Sequence, residues 1–131
     1  MGYTIVTLDD LGEGYGFRKV RKALNITAFG CNGLVFPPHY DGPNHFHDLQ
    51  DELYFVHRGT ATFVFDGEEH VVPEGGLVHV ESTTHRMVAN RGEDDLVLLV
   101  VGGTGGYVER DGQVVTAEDL AKRQAMARWQ S

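Results

Sequence analysis

Short β-branched and aromatic runs recur between Ile26 and Val101, each cut off by a turn signal, and this cadence predicts an all-β sandwich or barrel. The runs fall at about residues 26–36, 45–47, 52–58, 60–65, 69–72, 77–81, 85–90 and 96–101. Asp66-Gly67 joins two of them as a tight primed hairpin turn, because glycine tolerates positive φ. Pro37-Pro38 and Pro73-Glu74-Gly75-Gly76 end strands for a complementary reason: proline has no N–H to give to a ladder. After residues 102–106 (Gly-Gly-Thr-Gly-Gly) the pattern changes to that of one helix over about 116–129. Thr116 is placed to cap its first turn, with Asp119 in the position a capping box gives to Glu or Gln. Leu120, Gln124 and Ala127, or Met126 and Trp129, supply a stripe for packing.

With 131 residues, the chain has the length of one domain, 1–131, with a barrel core over about 26–102. A net charge of −8 argues against nucleic acid and anionic membranes as partners. The dense basic run Arg18-Lys19-Val20-Arg21-Lys22 reads as a solvated strand or turn and receives no function. A lone cysteine, Cys31, excludes an internal disulfide. No basic-then-apolar leader and no run of eighteen apolar residues is seen, so the expected location is the cytoplasm.

Chemistry concentrates in the stretch His45-Phe46-His47-Asp48-Leu49-Gln50-Asp51-Glu52. Histidines at i and i+2 of a strand project from one face and can present two imidazoles to one ion. The polar run 48–51 is the turn that returns Glu52 to them on the next strand. Imidazole plus carboxylate is a donor set for divalent first-row transition metals. If Glu52 faces the site, Tyr54 and Val56 share its face, while Leu53, Phe55 and His57 look away.

The spacing H-x-H-x(4)-E-x(6)-G is met by His45, His47, Glu52 and Gly59, and the chain thereby resembles a small single-domain member of the cupin superfamily. The resemblance covers about residues 30–102 and implies a cupin β-barrel, a jelly roll of the double-stranded β-helix type, here with a C-terminal α-helix. It also implies a second motif that supplies one more histidine. Two alignments compete. One reaches His79 and leaves only 60–66 between the motifs; the other starts at Gly75-Gly76, leaves room for a hairpin around Asp66-Gly67, and reaches His85. His85 is preferred, although Gly76, the run Glu81-Ser82-Thr83-Thr84 and a late Asn90 all depart from the pattern.

Three imidazoles and Glu52 would fill four positions and leave two open on an octahedral ion. By the resemblance the cofactor is one divalent transition metal, Fe or Mn first, then Ni, Cu or Zn. Parity places Tyr54 at the site as a proton donor or substrate hydrogen bond and Met87 as apolar lining. Glu81 and Asn44 are candidates to orient a ligating imidazole, and His39 to stand near the mouth. The expected function is an oxidoreductase of dioxygenase type acting on a small oxygen-rich molecule; the alternatives are a non-catalytic ligand-binding or sensing module and a metal-dependent isomerase or lyase. Apolar residues on both faces of 53–56 predict a homodimer.

Overall fold

Two antiparallel sheets close around the hydrophobic core, in a computed structural model that describes residues 2–103 and 111–128. The larger sheet has the order β1-β2-β10-β5-β8, formed by β1 (Gly16–Arg18), β2 (Gly30–Phe36), β5 (Asp51–Arg58), β8 (Leu77–Val80) and β10 (Leu96–Gly103). The facing sheet has the order β3-β9-β6-β7, formed by β3 (Tyr40–Asp41), β6 (Ala61–Phe65), β7 (Glu68–Val72) and β9 (Met87–Asn90). A two-stranded ribbon pairs β4 (His45–His47) with β11 (Gly112–Val114). The architecture is a jelly-roll barrel with a C-terminal helix, the fold that the resemblance implies.

Alternation decides what faces the core. On β5, Tyr54 and Val56 are buried while Leu53 and His57 are exposed. Phe36, Phe63, Val80, Val88, Leu96 and Leu98 meet them from both sheets. The β6–β7 hairpin turns at Asp66 (φ 49) and Gly67 (φ 80), both left-handed, as a primed turn requires. Gly59 ends β5 at φ +81, and a Cβ there would come within 2.6 Å of the Asp95 carbonyl oxygen, so only glycine fits this reversal.

The first predicted strand is shorter than expected. Residues 20–24 form a short helix, α1 (Val20–Leu24), which ends on Asn25 in the left-handed region and leaves 26–29 as a connector. The basic run is therefore split: Arg18 closes β1 with its side chain buried and Nη2 donating to the Gly14 carbonyl (2.8 Å), whereas Lys19 and Lys22 remain exposed. β1, β3 and β11 were not anticipated; three or fewer residues carry too little periodicity to read.

The terminal helix α2 (Ala117–Arg128) starts as its sequence predicts. Asp119 N–H donates to Thr116 Oγ1 (3.1 Å), and Asp119 Oδ2 accepts from Thr116 N–H (3.1 Å) and its hydroxyl (2.8 Å). Asp119 Oδ1 also accepts the Asn44 N–H (3.0 Å), which ties the helix to the strand carrying His45. Met126 seats in the core; Trp129 lies outside the described residues. None of the described helices is long and apolar enough to cross a membrane.

Candidate metal centre

His45 and His47 stand on β4 and Glu52 at the start of β5, and their donor atoms lie within 4.8 Å of one another. The two-residue spacing puts both imidazoles on one face, with ring centroids 5.5 Å apart. His47 Nε2 is 3.2 Å from Glu52 Oε2, and His45 Nε2 is 3.9 Å from Oε1. Donor atoms that share an ion at about 2.1 Å sit about 3 Å apart when cis, so this trio fits a divalent transition metal after small side-chain rotations.

Neighbouring groups fix these side chains. His45 Nδ1 is 3.2 Å from the Pro43 carbonyl oxygen, a contact that directs its Nε2 toward Glu52. His47 Nδ1, buried without an aligned hydrogen bond, lies 3.5 Å from Asp111 Oδ2. Asp111 is itself anchored by the Leu49 N–H (3.0 Å) and the Gln50 N–H (2.7 Å). Tyr54 is buried and donates its hydroxyl to Glu52 Oε1 at 2.5 Å. Burial alone would raise the Glu52 carboxyl, but hydrogen bonds with His45 and His47, the charge of His47 and the Tyr54 hydroxyl outweigh it and hold the group well below the usual carboxylate range. Burial and the Glu52 charge push the Tyr54 phenol well above its ordinary value, which keeps its proton available to that oxygen.

The expected fourth ligand is not brought to this trio. His85 is exposed and stacks on Phe46, ring centroids 4.7 Å apart and planes 16° from parallel. The cause is strand parity. Arg86 pairs directly with His45, N–H to O in both directions (2.8 and 2.9 Å), and opposed residues of an antiparallel pair project from the same face. Arg86 therefore shares the inward face of His45, and His85 shares the outward face of Phe46. The same one-residue displacement puts Val88 rather than Met87 in the cavity wall. His79, the competing candidate, is also exposed and lies beside Asp51 at 3.7 Å.

Arg86 has no exposed surface; its Nη1 donates to the Thr84 and Ser82 carbonyl oxygens (2.7 and 3.1 Å) and Nη2 reaches to 3.6 Å from Glu52 Oε1. Glu52 is thus shared: Tyr54, Arg86 and, at 3.9 Å, His45 lie on Oε1, while Oε2 faces His47. Asn44 serves by tying α2 to β4, and Glu81 and His39 are exposed and away from the trio. Arg86 and Asp111 were missed by sequence reasoning. A charge inside the apolar run 85–90 and the Asp111-Gly112 turn pair were the available signals.

A cavity of about 210 Å³ opens onto the trio, walled by Leu34, Phe36, Val88, Val114 and Met126. Its lining is chiefly apolar, as in most small-molecule sites.

Comparison with known proteins agrees with this architecture. A family model described as a cupin domain matches residues 34–102, more than half of the chain. No curated protein sequence matches. Among solved structures, the polyketide cyclase RemF from Streptomyces resistomycificus is similar at 16% identity over 92% of each chain, with a TM-score of 0.72. A sugar phosphate isomerase of the cupin superfamily from Silicibacter pomeroyi is similar at 18% identity over 88% of this chain and 86% of its own, with a TM-score of 0.66. A predicted oxalate decarboxylase from Thermotoga maritima shares 19% identity over 76% and 97% respectively, with a TM-score of 0.62. At these identities the solved structures speak for the fold, and together with the matched domain they lead to one conclusion: the chain belongs to the cupin family.

Proposed function

We propose that this protein is a metal-dependent enzyme in which His45, His47 and Glu52 hold one divalent transition metal at the wall of the apolar cavity. The convergence of these three side chains beside that cavity is the observation that carries the proposal. Two histidines and one carboxylate are the donor set of non-haem iron oxygenases, which supports the oxidoreductase reading. When bound, the metal supplies Lewis acidity and a place where substrate and dioxygen can meet. The rest is work for the chain itself. Tyr54 and Arg86 fix the Glu52 carboxylate through Oε1, with His45 on that oxygen's side and His47 on the side of Oε2. The apolar walls and Met126 exclude water and take the body of a small molecule.

A metal-dependent isomerase, lyase or cyclase is the second reading. Arg86 favours it, since a fixed cation 3.6 Å behind Glu52 lends the site positive charge without an oxidant, although it does not itself line the cavity. Structurally similar proteins described as isomerase, decarboxylase and cyclase point the same way.

Protein loaded in turn with Fe(II) and Mn(II) and assayed with catechol, diketone, hydroxy-acid and sugar-phosphate panels separates these readings. Oxygen uptake matched to substrate loss supports the oxygenase; conversion without oxygen supports the second reading. Tight ligand binding without turnover makes the protein a binding module, and failure to take up any metal overturns both enzyme readings. The expected homodimer belongs to the same proposal. Leu53 and Leu77 are exposed on neighbouring strands of the larger sheet, with Phe55 half-buried between them. A monomer in sedimentation at micromolar concentration would count against it.

A further inference from the structure

The basic run that received no function from sequence lines a second cavity, of about 350 Å³, and that cavity reaches the metal site. Lys19, Arg21 and Lys22 line it on one side and His47 and Glu52 on another. Asn32, His47, Glu52, Val100 and Gly112 belong to both cavities, so the candidate metal centre stands at a junction between an apolar limb and a basic one.

The fold arranges this juxtaposition. Arg18 turns inward to close β1, Lys19 follows as the N-cap residue of α1, and α1 carries Arg21 and Lys22 beside β2. Among the described residues, neither Lys19 nor Lys22 is engaged by a carboxylate. Asp111 lines the same cavity, but its oxygens already accept the Leu49 and Gln50 N–H groups. Glu52 is shared with Tyr54, Arg86 and the two histidines. A chain with net charge −8 therefore gathers three cations on one approach to its site, one more than the two carboxylates, Glu52 and Asp111, that line the same cavity.

From this junction we infer that the substrate is an amphipathic anion: an apolar body in the limb lined by Leu34, Phe36 and Met126, a carboxylate or phosphate head in the limb lined by Lys19, Arg21 and Lys22, and an oxygen function between them at His47 and Glu52. In the apolar limb the one cation among the described residues, Arg123, donates to the Gly112 carbonyl oxygen. The inference rests on the proposed metal-dependent reading for what happens at the junction, but not for the binding of the two ends. Arg21, whose Nη1 lies 3.5 Å from the Ile26 carbonyl oxygen, is part of the α1 turn; the two lysines are the adjustable charges.

Calorimetric titration of the full chain with octanoate, octyl phosphate and uncharged 1-octanol tests this, in chelator-treated and in Zn(II)-loaded protein. At least one anion should bind tenfold or more tightly than octanol, and weaken as salt is raised. The double variant Lys19→Gln/Lys22→Gln should lose about tenfold on the anions and nothing on octanol; both lysines are exposed, so folding is not at stake. Equal binding of anions and octanol, no binding of either anion, or anion binding unchanged in the double variant overturns the inference. Lysine-dependent anion binding in a protein that takes up no metal sustains it and sinks the proposed metal chemistry; metal uptake with lysine-independent binding does the reverse.

Discussion

Arg86 places its guanidinium 3.6 Å from the carboxylate of Glu52, and both side chains lie inside the barrel, Arg86 with no exposed surface. A metal bound by the trio would compete with this buried cation for the same negative charge. On the proposed metal-dependent reading, Arg86 balances Glu52 in the metal-free protein and an ion would share that task.

Arg86→Met should expose this competition. Removing one partner of a buried ion pair costs about 3 kcal/mol, because the other is left uncompensated. The variant should therefore melt well below the parent in chelator, and added metal should raise its Tm by more than it raises that of the parent, since the ion now supplies the missing charge. Differential scanning calorimetry with and without Zn(II) reads both values. Equal metal-induced shifts would mean that Arg86 does not sense the ion.

Tyr54→Phe removes one hydrogen bond to a charged oxygen without changing the ring packed edge-on against Phe63. The expected cost is about 2 kcal/mol in stability and roughly 10- to 100-fold in metal affinity, since partners of ligands orient them. Chemical denaturation and competitive metal titration measure the two effects separately.

Asp119 governs the docking of α2. Burial raises its carboxyl pKa, but the N–H of Asn44 and the N–H and hydroxyl of Thr116 outweigh burial and lower the net value. A depressed folded pKa contributes stability that is fully present above the ordinary aspartate value and is lost as pH falls through the folded one. Hydrogen exchange at the Asn44 amide should therefore quicken on acidification, beyond its intrinsic pH dependence, before the barrel unfolds. Asp119→Ala should reproduce that loosening at neutral pH and cost about 1 kcal/mol.

Gly59→Ala combines a left-handed backbone with a close approach to the Asp95 carbonyl oxygen. Strain of this kind costs on the order of 1–3 kcal/mol, visible as a lower urea midpoint. Metal affinity should hold, because Gly59 stands at the far end of β5 from Glu52.

Much of the barrel could be read from the chain because its strands are long enough to carry a period. Tyr54 and Val56 against Leu53 and His57 is such a case, as is the Asp66-Gly67 hairpin. β4 was legible through its motif, since three residues with two histidines admit few other readings. The parity of β9 was not. His85 and Arg86 differ by one position, and their faces are set by the pairing of Arg86 with His45, 41 residues away in sequence, rather than by any local pattern. Asp111 was hidden for a similar reason: it reaches His47 through the pairing of β4 with β11, a three-residue strand.

An anomalous scattering map from crystals grown with Fe(II), Mn(II) or Zn(II), collected at the edge of the metal used, tests the centre most directly. One peak is expected, bounded by His45 Nε2, His47 Nε2 and a Glu52 oxygen, with His85 still stacked on Phe46, and the peak should vanish in His47→Ala. A peak ligated by His85 or His79, or no peak in protein soaked with all three metals, would contradict a three-residue metal site in this barrel.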